Sequence, residues 1–151
     1  MFMAIEETAP EETLVGESRL NGSNAFKLAV ANLIGGLAAN AGGNTLAALT
    51  TQTVRLHTAD PGSNGINEVV AAGSGYAAKP VVWNPAEVDA GSGRGKITGE
   101  PVTFDVPAGA IAFYSVWSGG TYLYGKALNP AVNLSAQGKV TITPSHSYGL
   151  I

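Results

Sequence analysis

The sequence predicts a mainly β protein: a jelly-roll-like β-sandwich preceded by an extended arm and one short amphipathic helix. Three observations carry this expectation. From Thr53 onward, short apolar and polar runs alternate, the period-2 signature of half-buried strands. Gly- and Pro-containing turns separate those runs at intervals of roughly 8–12 residues, the spacing of sandwiches and barrels. Helical periodicity is confined to one stretch near the start. The expected division is an acidic arm over 1–21, a helix with a Gly-rich connector over 22–50, and the sandwich over 51–151. A chain of 151 residues suits a single hydrophobic core.

The arm is defined by charge. Residues 1–17 hold Glu6, Glu7, Glu11, Glu12 and Glu17 and no Lys or Arg, whereas the rest of the chain carries six acids against eight bases. An acidic, Pro-containing leader beside a faintly basic body reads as an extended segment, either a frayed terminus or an arm whose glutamates contact a basic patch on a partner. The helix follows. Phe26, Val30, Leu33, Ile34 and Leu37 form one apolar stripe at helical spacing, and Ser23 or Asn24 supplies an N-cap oxygen. Gly35-Gly36 weakens that helix and Gly42-Gly43 closes the region, with room for a further turn around Thr45–Leu49.

The strands come next. Thr53–Thr58 places Val54, Leu56 and Thr58 on one face and Arg55 and His57 on the other. The Asp60–Gly65 stretch that follows is dense in turn formers. Gly75–Trp83 reads as a strand, but Pro80 donates no hydrogen bond and places it at an edge or a bulge. Beyond the Ala90–Gly95 loop, strands are expected at Lys96–Thr98, Pro101–Val106, Ile111–Trp117, Tyr122–Leu128 and Lys139–Thr143. The turn Ser118-Gly119-Gly120 suits a hairpin. Ile111, Phe113, Ser115 and Trp117 are expected on one face, and Trp83, Phe104, Phe113 and Trp117 in the core.

Composition narrows the chemistry. With no cysteine and two histidines, thiolate zinc sites, iron–sulfur clusters and thiol nucleophiles are excluded, and no cofactor is expected. A net charge of −3 with eight Lys plus Arg gives no basic surface for nucleic acid. The longest apolar run, Ala29–Ala39, falls short of the roughly 18 residues of a membrane span, so no membrane contact is expected either. The Gly-rich 90–95 loop lacks the strand-to-helix setting of a phosphate loop, so it reads as plain loop. His57, Asp60 and Ser63 do not show the spacing of a hydrolytic triad. Asp60, Asn64, Asn67 and Glu68 share a polar loop without the calcium-loop pattern, and such side chains ordinarily bond their own turn. Trp83, Tyr114, Trp117, Tyr122 and Tyr124 are sugar-platform candidates, yet their strand positions favour packing.

Leu56-His57-Thr58-Ala59-Asp60-Pro61-Gly62, then Gly65 and Asn67-Glu68-Val69, followed by GSGYAAKPVVW, resembles a family of small tailed-bacteriophage virion proteins. Its members are variously called minor tail, tail-fibre-like or capsid decoration proteins. The similarity extends to Phe104–Gly109, Val116–Ser118 and Gly120–Gly125, and spans roughly residues 22–143. Members often carry Arg after Tyr-Ala, whereas Ala78 stands here. The resemblance implies a non-enzymatic protein of the virion, most readily a capsid decoration (cement) protein and alternatively a minor tail or tail-fibre-like protein that binds the host surface or a glycan. Its implied partners are copies of itself, as a homotrimer, and the major capsid protein or other virion proteins. Asp60, Pro61, Gly62, Gly65, Asn67 and Glu68 are then loop-shaping residues rather than catalysts. A positive mean hydropathy (+0.15) and a low charge fraction suit close packing against such copies.

Overall fold

The structure, a computed structural model, describes residues 21–22 and 52–148. The expected acidic arm up to residue 20, the helix and the connector lie outside the described residues. Among those described, the chain is mainly β, with no helix and ten strands. These are β1 (Asn21–Gly22), β2 (Gln52–His57), β3 (Lys79–Pro80), β4 (Glu87–Val88), β5 (Gly95–Thr98), β6 (Val102–Val106), β7 (Gly109–Ser118), β8 (Thr121–Leu134), β9 (Gly138–Ile142) and β10 (Ser145–Tyr148).

The pairing is nested. β7 pairs with β8, β6 with β9 and β5 with β10, all antiparallel. Residues 95–148 therefore form one long antiparallel ribbon whose tip is the turn at Gly119-Gly120. Pro101 and Pro107 flank β6 and Pro144 precedes β10, where the ribbon passes from one sheet to the next. Proline has no N–H to give to a ladder, so it sits at strand ends without loss. Around the ribbon's tip the sheet order is β1-β8-β7-β2-β3. Pro80 lies in the outermost strand of that sheet, as its missing N–H requires.

One core fills the space between these sheets. Val54, Leu56, Tyr114 and Val116 from β2 and β7 join Val102, Phe104 and Val106 from β6 and Val140 and Ile142 from β9. Phe104 is completely buried and stacks on Tyr76 at 6.0 Å.

Two irregularities in the β7–β8 ladder decide which side chains reach this core. A register shift lies between Ile111 and Phe113, and another between Val116 and Trp117. A shift of one residue exchanges the two faces of a strand. Ile111 therefore enters the core, while Phe113, Ser115 and Trp117 do not share its face. This corrects the expected grouping and the core placement of Phe113 and Trp117, both of which are half-buried on the sheet's other side. Trp83 packs against the core half-buried, with its indole N–H donating to Gln52 Oε1 at 2.9 Å. The second shift leaves Leu123 and Tyr124 both in the core although they are adjacent in sequence.

Candidate functional site

Residues 58–68, the most specific part of the resemblance, fold into a single loop laid over the outer face of the five-stranded sheet. Its start is an Asx turn, in which the Gly62 N–H donates to Asp60 Oδ1 at 2.7 Å. Pro61 is fully buried, and its carbonyl accepts from the N–H groups of Gly65 (2.9 Å) and Ile66 (3.1 Å). Gly62 and Gly65 have positive φ, and so does Asn67 at 63°, a conformation that asparagine tolerates better than most residues. Asn67 Nδ2 donates to the Asp60 carbonyl at 2.8 Å and closes the loop. The returning chain runs beside β2, with Thr58 N–H donating to Asn67 O and Val69 N–H to Leu56 O.

Two glycines allow the loop to lie close. A Cβ on Gly65 would overlap the Trp117 ring and meet Tyr122 Cδ2 at 2.9 Å. Gly125 of β8 lies directly beneath the Pro61 ring, which a Cβ there would strike. Trp117 and Tyr122 meet edge to face at 5.4 Å, and the Tyr122 hydroxyl donates to the Gly62 carbonyl at 2.9 Å. Burial pushes the Tyr122 hydroxyl up to about 12.

Under the loop lies a polar cluster that sequence reasoning missed. His57 has no exposed surface, and neither has Ser115. His57 Nδ1 is 2.7 Å from the Ile66 carbonyl, which only accepts, so Nδ1 carries the proton. Nε2 therefore accepts from Ser115 Oγ at 2.6 Å, and Ser115 Oγ accepts in turn from Trp117 Nε1 at 2.8 Å. The serine–histidine contact has the length of a nucleophile–base pair, but both groups are sealed and the histidine is oriented by a peptide carbonyl. It fastens the loop to β7. Burial, the largest influence, holds the His57 pKa below its usual value, against the upward pull of the Ile66 carbonyl and Glu68.

The neighbouring Arg55 lies over the Trp117 ring at 4.0 Å and pairs with Glu68 Oε2 at 3.2 Å. Glu68 Oε1 accepts from the Tyr76 hydroxyl at 3.2 Å, and that hydroxyl accepts from the Leu56 N–H at 2.9 Å. Glu68 thus joins β2 to the segment carrying Tyr76. The only signal for the cluster in the sequence is the alternation that put Arg55 and His57 on the face opposite Val54 and Leu56. Ser115 joins them because it is directly opposite Arg55 in the β2–β7 register.

The calcium candidates do not converge. Asp60 is engaged by Gly62, Asn67 turns its amide nitrogen inward, and Glu68 is held by Arg55 and Tyr76. Among the described residues, no group of three or more His, Asp or Glu is placed to hold a metal. Tyr114, Tyr122 and Tyr124 are all buried, so they form no sugar platform on the surface. Glu6, Glu7, Glu11, Glu12 and Glu17 lie outside the described residues. Comparison of the chain with protein-family models and with curated proteins finds no match.

Proposed function

We propose that this chain is a non-enzymatic structural protein of a tailed-phage virion, a capsid decoration protein that binds the assembled shell as a homo-oligomer, most simply a homotrimer. The observation that carries the reading is the use made of the motif residues. Asp60, Pro61, Gly62, Gly65, Asn67 and Glu68 build and fasten a closely fitted loop, the role the resemblance implies for them. The nested ribbon supports the same reading, because a long antiparallel hairpin wound on itself is the topology a jelly roll needs. Such a head adds stability to a shell by burying surface at subunit junctions. The glutamates at residues 6–17 supply the attachment arm, reaching a basic patch on the major capsid protein.

The tail-protein reading takes its receptor site from Tyr114, Tyr122 and Tyr124, and their burial weighs against it. The test is immunogold labelling of purified particles from the phage that encodes the chain. Label spread over the capsid is expected. Label confined to the tail tip supports the minor tail protein instead, and unlabelled particles overturn the virion reading altogether.

A further inference from the structure

We infer that residues 58–68 form an acid-released flap: His57 is its latch, and protonating His57 frees the loop and uncovers the Trp117–Tyr122 face of the sheet. The inference does not rest on the virion reading.

The geometry gives the latch one working protonation state. Nδ1 donates to the Ile66 carbonyl and Nε2 accepts from Ser115, so the neutral ring satisfies both partners. A second proton has only Nε2 to occupy. The imidazolium would then aim an N–H at Ser115 Oγ, which already accepts from Trp117 Nε1 and whose own proton would have to leave the ring. The new charge would sit on a side chain with no exposed surface.

Among the described residues, Glu68 favours that charge and Arg55 opposes it, and these two are already paired with each other. β7 presents Phe113, Ser115 and Trp117 on this face, none of them charged. The other titratable groups of the loop and of β8 are Asp60, which caps Gly62, Tyr122, which donates to the Gly62 carbonyl, Tyr124, which lies in the core, and Lys126, which bonds Ser145. His57 is the side chain that holds the Ile66 carbonyl.

Opening is favoured on the acid side. In the open loop His57 titrates near its ordinary 6.5, and in the closed loop it titrates lower. Below about pH 6.5 the open form binds the extra proton, so opening gains about tenfold per pH unit until the closed form also protonates. At its tip Ser63, Asn64 and Ile66 are exposed, and the remaining holds are the Tyr122 hydroxyl on the Gly62 carbonyl and the packing of Pro61 and Gly65 against the sheet. β6 and β9 pair on a different sheet and do not share the latch.

Native-state hydrogen exchange tests this, with rates corrected for the intrinsic pH dependence. Between pH 7 and pH 5, the Gly65, Ile66 and Thr58 amides should open about tenfold more per pH unit below 6.5, while the Phe104 and Val140 amides stay flat. His57→Gln, which cannot titrate, should abolish the rise. In Trp83→Phe, whose sole indole is Trp117, acrylamide quenching should increase over the same interval. Loop and core amides rising in step would mean global acid unfolding and overturn the inference. An unchanged loop would overturn it equally, and both outcomes are read on the unmodified chain even should His57→Gln fail to fold.

Discussion

Gly65 shows how much of this structure depends on single atoms. It combines a φ of +74° with the absence of any room for a Cβ against Trp117 and Tyr122. Gly73 has a similar φ of +81° but nothing within 4 Å. Gly65→Ala should therefore cost the conformational strain of about 1–2 kcal/mol plus an overlap penalty of about 1–3 kcal/mol, whereas Gly73→Ala should cost the strain alone. Denaturant titrations of the two variants separate these contributions, and equal losses would show that the loop does not press on Trp117. Phe104→Ala, at the centre of the core, should lose about 3–5 kcal/mol in the same assay. Residue-level roles were unevenly legible in the sequence. Phe104 and Val54 follow from alternation, but Phe113 and Trp117 were misplaced because a register shift inside β7 leaves no mark in a period-2 pattern. The bond between His57 and Ser115 joins residues 58 positions apart and has no local signature at all.

At the scale of elements, two tyrosines do the work of missing strands. The Tyr76 hydroxyl accepts from the Leu56 N–H, on the β2 edge that β3 is too short to cover, and donates to Glu68 Oε1. The Tyr114 hydroxyl accepts from the Ser145 N–H at 3.0 Å and donates to the Ser145 carbonyl at 3.0 Å, tying β10 to the five-stranded sheet. Lys126 adds a bond to Ser145 Oγ at 2.9 Å. Tyr114→Phe keeps the ring and removes both bonds, leaving the Ser145 N–H unsatisfied at a cost of about 1–3 kcal/mol. Exchange at the Ser145 amide should accelerate with it, and a variant as stable as the parent would refute the bridging role. The longer strands were legible because Val102-Thr103-Phe104-Asp105-Val106 and its partners alternate cleanly. β4 and β10 were not, since Glu87-Val88 and Ser145–Tyr148 are short, mixed segments whose strand character comes from pairing with β5. The close fit of the Asp60–Asn67 loop was partly legible, because its Pro, Gly and Asx residues each encode a turn, but the surface on which it lies was not.

On the scale of the whole molecule, buried phenols tie stability to alkaline pH. Burial raises Tyr76, Tyr114, Tyr122 and Tyr124 above the usual 10. Their stabilisation is complete below pH 10 and is lost as pH rises through the folded values, because the unfolded chain releases those protons first. Absorbance at 295 nm should show these four ionising together with unfolding, and ionisation of more than one of the five tyrosines near pH 10 in a chain that stays folded would contradict their burial, Tyr148 being exposed. Assembly belongs to this scale as well. A protein without residues 1–17 should fold normally yet fail to attach to particles, and undiminished attachment would remove the glutamates from the interface. Whether the chain decorates a shell is decided by its copy number per purified particle, measured by quantitative gel densitometry against the major capsid protein. Decoration of a closed symmetric shell predicts copies on the order of hundreds; a handful per particle would contradict it and move the protein to the tail.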